Sequence, residues 1–337
     1  MSRYYSGPVS DHFNGECFFD PQGVPPRSRR ELNRWLIDRY WRRSKAKWPA
    51  WAPSPYADRP PPRVDGAACR ISYVGHASFL LQIAGLNILL DPVWSMRASP
   101  VRRVGPKRVN DPGIAFADLP PIDVVLVSHA HYDHLDVATL SRLAAAHRPR
   151  VIAPLGTDAI MRSHDKAIAA EGYDWHDRVE IARDAAVTLV PTRHWSARSL
   201  SDRNMSLWAS FVIEAPAGRI YFVGDSSYGE GLHFRDARKH QGPFKLALLP
   251  IGAYEPRWFM ADQHMNRRSR YKHTSIAAPN VRSATTTARS SSPTRQSMRR
   301  LLRWPKRCGK RKFRRSVLGC CAPGRFWNSS GGRTQPT

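Results

Sequence analysis

The chain has 337 residues and sets 53 Lys and Arg against 27 Asp and Glu, a formal net charge of +26. No apolar run approaches the roughly 18–20 residues that span a bilayer, and the opening residues lack the basic-then-apolar plan of a secretory signal. Apolar residues make up 42% of the chain, enough for one large core. The charge is unevenly placed. From Arg267 to Thr337 there are 19 basic residues and no acid, whereas the first 266 residues hold the other 34 bases and all 27 acids, a net of only +7. Two cysteines in that body, Cys17 and Cys69, are too few for a disulfide framework, so a reducing, cytoplasmic compartment is expected.

Residues 1–67 are rich in Pro, Arg and Trp. Leu32, Trp35, Leu36 and Arg39 recur at helical spacing, which predicts a short helix over 29–41 before Pro49, Pro53, Pro55 and Pro60–Pro62 break regular structure. This arm either packs on the body or lies at a membrane surface as a basic, tryptophan-bearing helix. From Cys69 the pattern becomes a strand series: Ile71–Val74, Ser78–Ile83 and Leu86–Leu90, with turns at Gly75 and Ala84-Gly85. A proline-rich loop leads to Asp123–Val127, an apolar β-branched run of the buried-strand kind. Val137–His147 then reads as a helix. The runs 151–153, 187–190, 207–213, 220–223 and 246–249 continue the strands. Strands with intercalated helices predict a layered α/β sandwich.

The strongest chemical signal is Ser128-His129-Ala130-His131-Tyr132-Asp133-His134, directly after a buried strand. In a tight strand-to-helix turn, His129 and His131 can point one way while Asp133 and His134 reach a second point nearby. That donor set suits two adjacent divalent ions, with zinc the first expectation by ligand type. Further ligands are expected at other strand ends. His194 follows 187–190, and Asp225 follows 220–223. Taken alone, His194 would be an ordinary hydrogen-bonded histidine and Asp225 a turn or cap residue. Beside the cluster both become candidate ligands.

The string His129-x-His131-x-Asp133-His134, then His194, then Asp225, resembles the metallo-β-lactamase superfamily. Gly75-His76-Ala77-Ser78, Asp91-Pro92-Val93-Trp94-Ser95, Ala98-Ser99-Pro100, Gly105-Pro106-Lys107-Arg108 and the run from Pro250 to Met260 resemble its N-acylphosphatidylethanolamine-hydrolysing phospholipase D branch. The resemblance covers roughly residues 70 to 266. It implies an αββα sandwich with two Zn2+ at one edge. His129, His131, His194 and Asp225 would hold the first ion; Asp133, His134, a bridging Asp225 and a last histidine from a C-terminal strand would hold the second. It also implies hydrolysis of an ester or phosphodiester by a metal-activated water. Asp133 would orient that water and His264 would assist the leaving group, unless His264 is structural. Asp91 would steer a ligand histidine.

The family pattern breaks after Asn266, where an acidic helix and a strand ending in the last metal histidine are due. Arg267-Arg268-Ser269-Arg270 and Ser/Thr runs stand there instead. The C-terminal part is therefore expected to be incomplete or disordered, either as a basic extension binding nucleic acid or acidic lipid, or as the product of a reading-frame shift. Permitted codons for Ser292–Met298, read one base earlier, spell L-T-D-E-A-I-D. In the same frame Thr286–Ser291 permits H-Y-G-T-F-Q and Arg267–His273 permits P-E-E-P-V-Q-A. Those strings resemble the missing C-terminus and favour the shift, with weakened second-metal binding as its consequence.

The resulting expectation has three parts: an arm over 1–67, a hydrolase domain over 68–266, and a basic tail over 267–337. The substrate would be a phospholipid or small molecule, with peripheral membrane contact. Fold alone does not choose it, so a lactonase-like or phosphodiesterase-like hydrolase acting on a soluble substrate stays open. A basic nucleic-acid binder is a third reading. The tail offers few base-stacking aromatics, so its affinity for phosphates would be nonspecific.

Overall fold

The structure is a computed structural model describing residues 2–23, 28–42, 51–52, 57–101 and 103–266, with the backbone of 282–286 and 326–328. After an N-terminal strap and helix α1 (Arg29–Arg42), three antiparallel strands follow: β1 (Cys69–Gly75), β2 (Ser78–Ile83) and β3 (Leu86–Leu90). Strands β4 (Val124–Leu126), β5 (Arg150–Pro154) and β6 (Ala170–Tyr173) add to them in parallel. Helix α2 (Val137–His147) connects β4 to β5, and α3 (Thr157–His164) connects β5 to β6. The second sheet holds β7 (Arg178–Ala182), β8 (Ala185–Val190), β9 (Ser210–Glu214), β10 (Arg219–Phe222) and β11 (Phe244–Pro250). Helix α4 (Leu232–Gln241) lies between the last two, and a short α5 (Arg257–Met260) follows β11.

Alternation of side chains along each strand builds the layers. In β3, Ile88 and Leu90 face the second sheet, while Leu89 faces the layer of α2 and α3 with Leu140, Leu143, Ile160 and Met161. In β10, Ile220 and Phe222 face the shared core and Tyr221 faces Phe234 and Ala237 of α4. Every residue of β1, β2, β4 and β8 is buried. The result is the αββα sandwich that the resemblance implies.

Two strands come from the region read as a basic tail. β12 (Arg282–Thr286) pairs in parallel with β11, and β13 (Phe326–Asn328) pairs antiparallel with β1. The expectation of a disordered tail otherwise falls on residues 267–281, 287–325 and 329–337, which lie outside the described residues. Among the described residues, no helix is long and apolar enough to cross a membrane.

The N-terminal residues are integral to the body. Phe13 and Phe18 are each 1% exposed and sit in the core between the sheets. The strap is tied to the segment after β8: Ser2 Oγ donates to the Met205 carbonyl (2.8 Å), Tyr4 OH to Asp202 (2.9 Å), and the Phe18 amide to the Asn204 carbonyl (2.8 Å). His12 lies between Asp11 (2.5 Å) and Asp174 (2.7 Å) and stacks on Trp175. Helix α1 opens with a reciprocal cap in which Ser28 Oγ accepts from the Glu31 amide and Glu31 accepts from the Ser28 amide. It docks through Trp35, stacked on Phe259 at 4.9 Å.

Candidate metal centre

Strand direction gathers the candidate residues at one edge. β1, β3 and β4 run the same way in the first sheet, so His76, Asp91 and the 128–134 turn all emerge at their C-terminal ends. In the second sheet β8 and β10 share a direction and deliver His194 and Asp225. The two sets of turns meet closely. Gly224 has φ +64°, and a Cβ there would stand 2.7 Å from Ser128 Oγ, so both its conformation and its space call for glycine.

Three of the candidate histidines, His129, His134 and His194, are fixed by partners on one ring nitrogen. Asp91 is fully buried and accepts from the Ser128 amide and hydroxyl, both at 2.7 Å, and from His134 Nδ1 at 2.6 Å. Because Ser128 Oγ spends its proton on Asp91, it accepts from His129 Nδ1 (2.9 Å), leaving the lone pair on His129 Nε2. His194 Nδ1 donates to the Gln263 carbonyl (3.2 Å), so its Nε2 also carries a lone pair. Those two nitrogens approach His131 Nδ1 at 2.8 and 3.3 Å. Three nitrogens thus converge where at most one proton can be shared. Burial, reinforced by the neighbouring histidines, pushes His129 well below the usual range; burial also pushes His194 well below it and His131 down to about 4.

The second cluster has the opposite character. Burial opposes charge on His134, yet Asp225 and Asp91 outweigh it and hold its pKa well above the ordinary value. His134 Nε2 faces Asp225 Oδ2 at 3.3 Å, an ion-pair contact. Burial raises Asp225 and Asp133, but facing histidines win and both carboxyls are lowered: His134 foremost for Asp225, and the His76 hydrogen bond foremost for Asp133. His129, His131 and His194 form one group of donors within 4.8 Å of one another; His129, His134 and Asp225 form another, and His76, Asp133 and His134 a third. Converging lone pairs beside two carboxylates are what a divalent cation satisfies, so the residues present fit a metal centre.

All the expected residues reach this edge, with His264 at its margin. His264 Nδ1 is 3.7 Å from Asp225 Oδ2, and burial lowers its pKa. Three further contributors were given no role by the sequence, although His76 stands in one of the segments that carry the resemblance. His76 faces Asp133 at 3.2 Å. Trp195 packs on His131 at 4.3 Å under the guanidinium of Arg203 and donates to Gln263. Arg198 Nη1 donates to the carbonyls of Ala130 and Leu135, both at 2.9 Å, and its guanidinium lies over Tyr132, so it bridges the ends of the histidine-bearing turn.

Residues 86–288 match the family described as Beta-lactamase superfamily domain. The chain is 36% identical over 206 residues to an N-acyl-phosphatidylethanolamine-hydrolyzing phospholipase D 1 of Caenorhabditis elegans, covering 58% of this chain and 57% of that protein. It is 32% identical over 193 residues to a UPF0173 metal-dependent hydrolase of Opitutus terrae, covering 55% of this chain and 73% of that protein. It spans less than two thirds of the length of the curated relatives it matches first. Among solved structures, an isothiocyanate hydrolase from Delia radicum gut bacteria superposes with a TM-score of 0.53 at 17% identity, covering 68% of this chain and 90% of that one, which shows a shared fold.

Proposed function

The chain belongs to the β-lactamase superfamily, and from that premise we propose that it is a metal-dependent hydrolase of phosphodiesters whose substrate is presented by a lipid surface. Two divalent ions, zinc by donor type, would supply an activated water and offset the charge that develops on the attacked group. His129, His131 and His194 would hold the first; Asp133 and His134 would hold the second, and Asp225, with Oδ2 at 3.3 Å from His134, would bridge them. Asp133 remains ionised beside His76 and can orient the water by accepting a hydrogen bond from it. His264, anchored through its carbonyl by Arg257 at 2.8 Å, stands where it can pass a proton to the leaving group.

The observation that carries the lipid reading is a set of exposed apolar side chains on segments that adjoin the site residues in the chain or pack on α5. Leu200 is wholly exposed on the segment after His194; Met96, Val101 and Val104 are exposed on the loop after Asp91, beside Arg97, Arg103 and Lys107; Leu32, Leu36 and Ile37 are exposed on α1. Apolar side chains among basic ones suit an anionic headgroup surface. The nematode relative's name points to the same class of substrate. The proposed hydrolase domain spans 68–266, braced by the strap, with β12 and β13 added to its two sheets.

The test uses the full-length, metal-loaded protein with vesicles containing N-acylated phosphatidylethanolamine and anionic lipid, and with a soluble phosphodiester. Faster turnover on vesicles, falling with ionic strength, is expected. Equal turnover of the soluble compound without vesicle binding would favour the soluble-substrate alternative.

A further inference from the structure

β1 reaches the metal edge by a backbone device of its own. It ends at Gly75 (φ 143°), and His76 follows at φ +55°, a left-handed conformation that a branched-ring residue adopts only at a cost of order 1 kcal/mol or more. The strained turn is held rather than incidental: Tyr73 OH donates to the His76 carbonyl at 3.1 Å. The His76 side chain is 2% exposed, and its ring meets that of His134 edge-on at 5.2 Å between centroids. Strain, burial and direction all serve to bring Nε2 to the second cluster.

Distances there are those of donors sharing one ion. With bonds of about 2.0–2.1 Å, two ligands on a tetrahedral zinc stand about 3.3–3.4 Å apart. His76 Nε2 is 3.2 Å from Asp133 Oδ2, and His134 Nε2 is 3.3 Å from Asp225 Oδ2. His76, Asp133 and His134 each offer an atom within 4.8 Å of the other two. In the first cluster His194 Nε2 stands at the same spacing, 3.3 Å, from His131 Nδ1.

We propose that His76 is a ligand of the second metal in this chain, completing a four-donor set with Asp133, His134 and Asp225. The inference rests on the two-ion reading above and goes beyond it by naming where the missing donor comes from. Among the described residues the other imidazole near this cluster is His264, which stands farther off, 3.7 Å from Asp225 Oδ2, and serves the leaving-group side in the reading above. Beyond His264 the sequence contains only His273, which lies outside the described residues, and β12 (Arg-Ser-Ala-Thr-Thr), the strand added beside β11, brings none. The second position is then filled from the first sheet, by the turn after β1, instead of from the C-terminal region.

The full-length protein, stripped by chelation and titrated with Co2+, tests this through metal stoichiometry and the cobalt absorption bands. The wild type is expected to bind two ions per chain. His76→Gln keeps an amide donor at the reach of Nε2, so it can still hydrogen-bond Asp133 but cannot replace an imidazole ligand; it should keep the first ion and bind the second at least 100-fold more weakly. Two ions bound equally well by His76→Gln would overturn ligation by His76 and reduce it to orienting Asp133, with the two-ion reading intact. A wild type that binds one ion overturns the completed second site, and one that binds none overturns the metal centre itself. A measurement on the wild type alone guards against a misfolded variant. In the proton spectrum of the cobalt form, five histidine ligands give five strongly shifted exchangeable imidazole N–H signals; four would refute the assignment.

Discussion

Replacing Asp91 by asparagine asks how much of the site depends on one buried carboxylate. The native group serves three donors, the Ser128 amide, the Ser128 hydroxyl and His134 Nδ1, at 2.7, 2.7 and 2.6 Å. Asparagine has nearly the same shape but one acceptor oxygen. If that oxygen keeps the Ser128 amide, its NH2 group is turned toward two other donors. A buried polar group left unpaired costs about 1–3 kcal/mol, and breaking a buried ionic pair costs about 3–5 kcal/mol. The loss should therefore be about 3–5 kcal/mol, within the 5–15 kcal/mol a folded domain has to lose. At about 2–4 °C per kcal/mol for a body of this size, calorimetry of the metal-free protein should show a melting point roughly 10 °C lower. The relay that fixes the His129 tautomer also runs through Asp91, so both ions should bind about 10–100-fold more weakly in a chelator competition. Native melting and native metal affinity in Asp91→Asn would refute the reasoning that these contacts set ligand orientation.

Other perturbations separate the remaining roles. Arg198→Ala removes two charge-assisted bonds and a ring contact from the 130–135 turn; allowing for the cost of burying that guanidinium, about 2–4 kcal/mol should be lost, and stopped-flow chelation should show faster loss of the first ion, with partial recovery in Arg198→Lys. Gly224→Ala forces a Cβ to within 2.7 Å of Ser128; about 1–3 kcal/mol of destabilisation should appear in urea melts, together with weaker metal binding. His12 is held above its ordinary pKa: burial lowers it, but Asp174 and Asp11 outweigh burial, and Asp174 also acts on the nearby Tyr5. A raised folded pKa gives stability that is full below about pH 6.5 and disappears as pH rises through the higher folded value. The urea midpoint should fall across that window above pH 6.5, and His12→Asn should remove this part of the slope. Loading the stripped protein with Zn2+ at 1,000 times Kd should stabilise it by about 4 kcal/mol per site; a melting point indifferent to metal would count against a built centre.

The strands that form the shared core were legible because they are short, nearly continuous apolar runs bounded by turns. β2 and β3 appear over the residues their patterns predict, and α2 over Val137–His147. What escaped notice lies at edges. β6 reads Ala-Glu-Gly-Tyr, and β7 carries exposed Arg178 and Glu180 between apolar residues; both are edge strands, where one side faces solvent and the apolar signal halves. β12 and β13 have no alternation to detect. At the site, the dense His/Asp turn announced itself, whereas His76 stood in a quoted segment without a role. A lone histidine after a strand signals chemistry only once the parallel course of β1 and β4 shows that both strands end at the same edge. Arg198 was equally silent, because its partners are main-chain carbonyls, which no side-chain motif encodes.

The strap has a consequence for anything attached to this protein. Ser2 bonds the carbonyl of Met205, a few residues from Leu200 and from Arg198, which grips the ligand turn. A tag, carrier or partner domain fused ahead of Ser2 would be anchored against the 198–206 segment, whose Arg198 holds the histidine-bearing turn.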